Sequence, residues 1–390
     1  MSKELFITSE LQREWLEKLN DVKDLIIKSA EKNDRNASFP KENIQKLIEI
    51  GYTKLTLPKS YGGEGITVSD MVLLQETLSS YDGATALSIG WHQGVVGELY
   101  EYKLWEEKKL QQFANEIVNG ALVNRAVSEA QTGSPTRGGK PQTTAVKKDG
   151  HWILSGQKTF TTMSPVLTHF LSSAWVEEKN GIGFFLIDRN SAGLSIKETW
   201  NMVGMRSTES HDLVLDAVKV SDENFVELNT GPRGDKANGW LLHIPACYLG
   251  IAQAARDYAV QFAVTYRPNS IKGPISELPN VQNHIGEIDL ELMKARHFLY
   301  SVASAYDDPA RRNFIKQELG AAKLVVTNAA IRIVDLSMRI VGAKSLELTN
   351  PLQRYYRDVR AGLHNPPMDD MVISKLSQTA IQEMSERQEQ

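Results

Sequence analysis

The sequence predicts an α+β protein in which a helical part, a β part and a second helical part follow one another. Three observations predict this order. Apolar residues recur at helical spacing through the first 120 or so residues, they alternate with polar residues from about Leu122, and helical periods return beyond Ala237. A chain of 390 residues is long for a single core, so two or three domains are expected.

The N-terminal part is predicted to be helical because its apolar side chains recur every three or four residues. The first stripe consists of Leu11, Trp15, Leu19, Val22 and Ile26. A second helix is expected over 40–50, since Pro40 opens it and Gly51 follows its end. A glycine-rich loop, LPKSYGGEG, comes next, and helix is expected again from Val68 to Ser80. An apolar segment then runs from Ala84 to Tyr100.

The middle part is predicted to be mostly β. Ala145–Val146 and His151–Leu154 flank Lys-Lys-Asp-Gly, which indicates a hairpin. Phe170–Val176 and Phe184–Ile187 flank an Asn-Gly pair and predict a second one. A further strand is expected from Leu213 to Val220.

The last part returns to helical periodicity in four long runs. These runs cover roughly 238–266, 281–306, 311–342 and 368–386. Three prolines in the segment from Arg267 to Pro279 break the chain between the first two runs.

Composition excludes several classes of protein. A net charge of −4 provides no electrostatic basis for binding nucleic acid or an anionic membrane. Cys247 is the only cysteine, so an internal disulfide is impossible and a reducing compartment is expected. No run of 18 apolar residues and no secretory signal is present, and a cytoplasmic location is therefore predicted.

Two stretches of the middle part combine small hydroxyl residues with glycine at the end of a strand-like run. The first is AVSEAQTGSP, over 126–135, and the second is LSGQKTFTT, over 154–162. Short hydroxyls and unobstructed backbone N–H groups suit a flat polar ligand such as an isoalloxazine ring. Taken singly, each stretch is also compatible with an ordinary turn.

The order and spacing of these stretches resemble the acyl-CoA dehydrogenase superfamily. Six separate motifs carry the resemblance along the chain: LPKSYGGEG, SEAQTGS, LSGQKTFTT, GMRSTESHDLVL, the pair Arg267 and Gln282, and RIVGAKSL followed by YRDVR. The resemblance implies an N-terminal α-helical domain over 1–120, a middle β-barrel-like domain over 121–230 that binds flavin, and a C-terminal four-helix bundle over 231–390.

The same resemblance implies FAD as cofactor, with FMN or reduced flavin supplied by a reductase as the alternative. Ser128 would bind the pyrimidine edge of the ring, Thr162 would lie near N5, and Phe160 would stack on one face. The remaining implied cofactor residues are Val127, Gly133, Ser134 and Thr161 around the ring and pyrophosphate, Arg267 and Gln282 at the adenine half in a neighbouring subunit, and Gly342 in the bundle.

The sequence departs from the family where the catalytic base is expected. The family carries a glutamate eight residues after the aspartate that corresponds to Asp358, and Pro366 occupies that position here. Proline has neither a carboxylate nor a backbone N–H. A second subset of the family places its base at a position that corresponds to Trp240.

Three functions therefore remain open. The first is α,β-dehydrogenation of a short, branched or aromatic acyl thioester, with His364, Asp369 or Asp370 as a displaced base. Asp369 and Asp370 are equally compatible with a helix N-cap. The second is a flavin-dependent monooxygenase of the same fold, in which His364 and His92 orient the reactants. For His92 a buried structural role is the alternative. The third is a flavin-binding protein without enzymatic activity.

Dehydrogenation is the function predicted, because dehydrogenases are the commoner members and Arg267 with Gln282 indicates FAD shared across a dimer interface. Bulky side chains such as Trp91 and Trp240 indicate a short, branched or aromatic substrate. The resemblance further implies a role in fatty-acid metabolism, a homotetramer, and an electron-transferring flavoprotein as acceptor. A monooxygenase would require a flavin reductase instead.

Overall fold

The computed structural model describes residues 3–133, 139–230 and 237–389. Its first part is helical. The five α-helices are α1 Glu10–Asn36, α2 Lys41–Glu49, α3 Val68–Tyr81, α4 Gly83–Glu101 and α5 Glu107–Val118.

Side-chain caps set where these helices begin. Ser9 and Gln12 form a reciprocal capping box at the start of α1, and Thr67 and Asp70 form a second one at α3. The Asp82 carboxylate accepts the backbone N–H of Thr85, which opens α4 directly after α3. The apolar segment predicted from Ala84 onward is therefore one continuous helix.

The described residues of the middle part form eight strands: β1 Val123–Ala126, β2 Thr144–Lys148, β3 His151–Lys158, β4 His169–Val176, β5 Gly181–Asp188, β6 Leu194–Lys197, β7 Asp212–Ser221 and β8 Phe225–Asn229. They build one sheet in the order β6-β7-β3-β2-β4-β5-β8, and β1 pairs with β4 in parallel. Both predicted hairpins, β2–β3 and β4–β5, are present as antiparallel pairs.

The last part contains five α-helices: α6 His243–Thr265, α7 Pro279–Asp307, α8 Lys316–Val341, α9 Pro351–Val359 and α10 Asp369–Glu389. The predicted runs extend beyond α6 and α8 because short 3₁₀ turns, Gly239–Leu242 and Arg312–Phe314, precede them. α6 packs along α8, and α8 packs along α7. Val372 is the one buried residue of α10 within the described side chains.

One large apolar core joins the helical parts and the sheet. α3 of the first part packs along α6 of the last part, and Trp152 and Phe185 of the sheet belong to the same core. The predicted α+β class and helical–β–helical order are confirmed. The domain limits at 120 and 230 stay predictions. None of the helices in the described ranges combines the length and apolarity that crossing a membrane requires.

Candidate functional site

The two hydroxyl-rich stretches are adjacent in space. β1 ends at Ala126 and β3 ends at Lys158, and beyond these ends the Thr159 N–H donates to the carbonyl of Ser128 at 2.8 Å. The residues that follow the two strands, 127–129 and 159–162, therefore lie side by side at the ends of β1 and β3, and we call this place the sheet edge.

An ion pair beneath the first stretch joins it to the second. The Lys158 ammonium lies 2.7 Å from a Glu129 carboxylate oxygen, and both side chains are buried. The same carboxylate accepts the backbone N–H groups of Gln142 and Thr143 and the Thr143 hydroxyl. Burial acts to raise the pKa of Glu129, but these hydrogen bonds and the Lys158 charge outweigh it and lower the pKa to about 2.

This pair was not predicted from the sequence, although both residues lie inside the two motifs. The signal that could have revealed it is that Glu129 is the one charged residue of SEAQTGS and Lys158 the one charged residue of LSGQKTFTT. Charged residues at such positions are rarely buried unless they are paired.

Glu129 also closes a small loop at the end of the first stretch. Its N–H and carbonyl exchange hydrogen bonds of 3.0 and 2.9 Å with Gly133. Gly133 has φ of +68°, and a Cβ there would meet no atom of the described residues within 4 Å, so the described part of the chain leaves space in front of its backbone. Val127 and Ser128 are half-buried just before the loop. Ser134, the other predicted residue of this stretch, lies outside the described residues.

The second stretch presents an aromatic ring and a free hydroxyl. Phe160 has φ of +58° and is 54% exposed, so its ring stands out from the sheet edge, where it meets Trp200 edge-to-face. Thr161 is buried, and within the described ranges its hydroxyl has no hydrogen-bond partner. The Thr162 hydroxyl lies 2.9 Å from that of Ser210.

His211 holds the loop that supports Phe160. Its Nδ1 accepts the backbone N–H groups of Thr199 and Trp200 at 3.1 and 3.0 Å, and its carbonyl accepts the Thr161 N–H. Trp200 and Thr161 are thereby oriented by one residue of the GMRSTESHD motif. The motif was identified in the sequence, but no role was predicted for its histidine.

The helical part approaches the same edge through α9. The Asp358 carboxylate accepts the Met205 N–H at 2.6 Å, and Gly204 lies so close to Arg357 that a Cβ would be 2.2 Å from its carbonyl oxygen. Burial raises the pKa of Asp358 to about 7. Arg357 in turn pairs with Asp34 of α1, so all three parts of the chain meet here.

The turn after α9 carries the predicted catalytic candidates. His364 is exposed, and its backbone N–H donates to the Ala361 carbonyl. The side chain of the next residue, Asn365, accepts the Tyr248 hydroxyl. Pro366 follows at the position where a glutamate was expected.

The two aspartates of α10 differ in their surroundings. Asp369 accepts the buried Lys323 ammonium at 3.1 Å through one oxygen and the Asn328 amide at 2.8 Å through the other. Both carboxylate oxygens thus attach α10 to α8, and the role of Asp369 as a base stays a prediction. Asp370 is exposed in the first turn of the helix.

The contacts of His92 favour the buried structural role that was the alternative to a catalytic one. It is fully buried, its Nε2 donates to the Thr53 carbonyl at 2.8 Å, and its Nδ1 accepts the Val123 N–H at 3.1 Å. Burial lowers the pKa of His92 to about 4, so the ring is neutral near pH 7. With both nitrogens used, the ring has no atom to offer a substrate.

The two predicted residues of the adenine half, Arg267 and Gln282, and the predicted cofactor residue Gly342 lie on the helical part. Arg267 and Gln282 are exposed, and the Gln282 amide donates to the Ser276 carbonyl. Gly342, with φ of +70°, lines an open cleft of about 400 Å³ together with Arg339 and Ser345. No hydrogen bond between described residues joins any of the three to the hydroxyl-rich stretches.

The sheet edge fits a flat polar cofactor. It offers a buried hydroxyl without a described partner on Thr161, open space in front of Gly133, and an exposed ring on Phe160. A flavin would satisfy the hydroxyl and cover the ring. The residues present are therefore compatible with the group that the sequence motifs imply.

Three sequence profiles match successive parts of the chain. The N-terminal, middle and C-terminal domains of acyl-CoA dehydrogenase match residues 8–120, 124–218 and 242–363, respectively. The chain is 60% identical to a Bacillus subtilis (strain 168) protein named "Putative acyl-CoA dehydrogenase YdbM". The matched region covers 97% of this chain and 99% of that protein.

Solved structures agree with these matches. A nitrososynthase from Micromonospora carbonacea var. africana is 25% identical and superposes with a TM-score of 0.83, covering 96% of this chain and 97% of that one. The butyryl-CoA dehydrogenase of Megasphaera elsdenii, 20% identical, shares the fold with a TM-score of 0.86 over 96% of this chain and 99% of that one. The chain thus belongs to the acyl-CoA dehydrogenase superfamily of flavin-dependent oxidoreductases.

Proposed function

We propose that the protein uses a reduced flavin and molecular oxygen to oxidise a small substrate. The observation that carries this proposal is the absence of a free carboxylate at the expected position. Pro366 replaces the glutamate, and Asp369, three residues later, is bound to Lys323 and Asn328. Removing an α-proton from a thioester requires a base, whereas oxygen transfer from a flavin does not require a carboxylate.

The number of electrons that this reaction requires indicates which other reactants and proteins take part. A reduced flavin held at this site would supply two electrons and two protons, and the substrate the other two electrons that O₂ accepts; one oxygen atom would enter the substrate and the other would leave as water. A separate flavin reductase would restore the reduced cofactor. FMN is compatible with this role, and FAD is the cofactor if Arg267, Gln282 and the Gly342 cleft of a neighbouring subunit hold the adenine half.

Each residue of the sheet edge then has a task. Thr161 and Ser128 would hydrogen-bond the polar edge of the ring, Phe160 would cover one face, and the Glu129–Lys158 pair would keep the two stretches together. Thr162, held by Ser210, would lie near N5. His364 is exposed two residues before Pro366, and its imidazole would hold or release the proton that accompanies oxygen transfer.

The substrate would be small, because large side chains fill the space between α4 and α6. Trp240 lies against Gly97 of α4, where a Cβ would be 2.3 Å from the indole, and its Nε1 donates to Glu101 at 2.8 Å. Trp91 lies edge-to-face on His243 nearby. A long straight chain would find little room between these rings, whereas a short, branched or aromatic group requires less.

Dehydrogenation of a short acyl thioester is the second candidate. Asp370 favours it, since this carboxylate is exposed four residues after Pro366 and has no described hydrogen bond that would prevent it from accepting a proton. The 60% identical relative is also named for this reaction. An electron-transferring flavoprotein would then receive the electrons.

One experiment separates the two candidates. The bound flavin is identified after purification, and the oxidised holoenzyme is mixed without oxygen with butyryl-CoA, isovaleryl-CoA and 3-phenylpropionyl-CoA. We expect no loss of flavin absorbance, and we expect oxygenated product from small aromatic substrates only when reduced flavin and oxygen are both supplied. Anaerobic bleaching that disappears in Asp370→Asn but persists in His364→Ala would establish dehydrogenation instead.

Assembly into a homotetramer is also proposed. α10 exposes several large apolar side chains along its length: Met371, Ile373, Ile381 and Met384. Such a helix is expected to be covered by another copy of the chain. Light scattering of the purified protein measures the mass; a mass near 43.6 kDa, that of one chain, would contradict this assembly.

A further inference from the structure

A buried imidazole at the start of α6 has no described partner for either ring nitrogen. His243 is fully buried, and within the described ranges neither its Nδ1 nor its Nε2 makes a hydrogen bond. Burial lowers the pKa of His243 to about 3, so the ring is neutral near pH 7 and carries one donor and one acceptor. Buried polar groups in folded proteins are nearly always paired, and two unpaired atoms on one ring therefore require an explanation.

Helix α4 is shaped around this ring. A Cβ at Gly90 would lie 2.5 Å from the Gln75 Nε2 and 2.7 Å from the His243 Nδ1, and a Cβ at Gly94 would lie 3.0 Å from the His243 Cδ2 and 3.3 Å from its Nε2. Glycine weakens a helix interior relative to alanine, and here the imidazole, together with Gln75 at Gly90, leaves no room for a larger residue at either position. The neighbouring Trp240 enters α4 in the same way at Gly97, but its indole N–H is satisfied by Glu101.

Trp91 separates the imidazole from solvent. The two ring centroids are 4.9 Å apart at an interplanar angle of 73°, and Trp91 is half-buried. The other neighbours of the imidazole, Gln75, Gly90 and Gly94, are buried. Rotation of the half-buried Trp91 side chain would bring a ligand to the ring.

We propose that His243 is a specificity-determining residue that binds a neutral hydroxyl group of the substrate. A hydroxyl is both donor and acceptor, so it can pair with either nitrogen of a neutral imidazole. A methyl group in its place would leave the buried nitrogens unpaired, which selects strongly against the methyl analogue. The inference rests on the proposed function in one respect: it places the substrate between α4 and α6.

Ligand pairs that differ only by hydroxyl for methyl test the proposal. Calorimetry on the oxidised holoenzyme compares 3-hydroxybutyryl-CoA with isovaleryl-CoA, and p-cresol with p-xylene. We expect the hydroxyl member of at least one pair to bind at least tenfold more tightly, and His243→Leu to abolish that preference. Equal or tighter binding of both methyl members, no binding of either pair, or an unchanged preference in His243→Leu would each overturn it.

A stability comparison tests the same proposal without any substrate. His92 is an equally buried histidine whose two nitrogens are both paired, so His92→Leu is the matched control. We expect His92→Leu to lower the melting temperature by several degrees and His243→Leu to leave it unchanged or raise it. Equal losses would show that the His243 nitrogens serve the fold, which would overturn the proposal. Neither readout depends on oxygen or product formation, so failure of the proposed reaction is recognised separately.

Discussion

The Lys158 ammonium and the Glu129 carboxylate lie 2.7 Å apart with almost no solvent contact, at 0% and 4% side-chain exposure. Lys158 ends β3 and Glu129 follows β1, so the pair ties together the two hydroxyl-rich stretches. Lys158 also lies 3.2 Å from the Ser173 hydroxyl of β4. The geometry of the edge therefore depends on a buried charge pair.

Breaking this pair on one side should destabilise the protein strongly. Lys158→Met leaves the Glu129 carboxylate buried beside an apolar chain, and we expect the free energy of unfolding to fall by roughly 3–5 kcal/mol. Urea denaturation measures it. The control is Glu129→Gln combined with Lys158→Met, which removes both charges and should recover much of the loss; a double variant no more stable than Lys158→Met would contradict this account.

The hydroxyl of Thr161 should matter for the cofactor and not for the fold. Thr161→Val removes a hydroxyl that has no partner in the described part of the chain, so the flavin-free protein should keep its melting temperature. Flavin should dissociate about tenfold more readily if the hydroxyl binds it, as expected for one neutral hydrogen bond. Fluorescence titration of the flavin-free protein measures this.

Thr162→Val is the matched control for that variant. Its hydroxyl already pairs with Ser210, which in turn lies 2.9 Å from the Thr208 hydroxyl. Loss of this run of hydrogen-bonded hydroxyls should lower the melting temperature of the flavin-free protein. If Thr161→Val lowers the melting temperature as much and leaves flavin affinity unchanged, the assignment of Thr161 to the cofactor is wrong.

Asp358 should make stability depend on pH in an unusual direction. Burial raises its pKa to about 7, above the ordinary 3.8, so the folded state holds a proton that the unfolded state releases first. The stabilisation that this proton adds to the free energy of unfolding is fully present below pH 4. It declines as the pH rises toward 7, by up to about 4 kcal/mol. Asp358→Asn keeps an acceptor for the Met205 N–H and should remove this decline. Urea denaturation of both proteins from pH 5 to pH 8 tests it; parallel curves would exclude Asp358 as the source.

The two aspartates of α10 should respond differently to substitution. Asp369→Ala deprives the buried Lys323 ammonium of its anion, and we expect a loss of about 1–3 kcal/mol together with faster hydrogen exchange in α10. Asp370→Ala removes an exposed side chain and should change stability by less than about 1 kcal/mol. Equal effects of the two substitutions would show that Asp369 does not attach α10.

Much of the fold could be predicted because it depends on local patterns. The stripe from Leu11 to Ile26 predicted α1, and alternation with a Lys-Lys-Asp-Gly turn predicted the β2–β3 hairpin, since side-chain period and turn chemistry are set by neighbours in the chain. The ends of α6 and α8 were less predictable, because 3₁₀ turns share the apolar spacing of the helices that follow them.

The sequence by itself determined the helical–β–helical order, the two hydroxyl-rich stretches, the family, and the missing glutamate at Pro366. Only the tertiary structure decided which polar side chains are free. The polar atoms of the His92 ring and of the Asp369 carboxylate are all hydrogen-bonded. The side chains of Thr161 and His243 have no described hydrogen-bond partner. Glu129 pairs with Lys158, which lies 29 residues further along the chain. The physical reason is that a hydrogen bond or buried ion pair joins groups that packing brings together. The distance in space between two such groups cannot be read from their spacing along the chain.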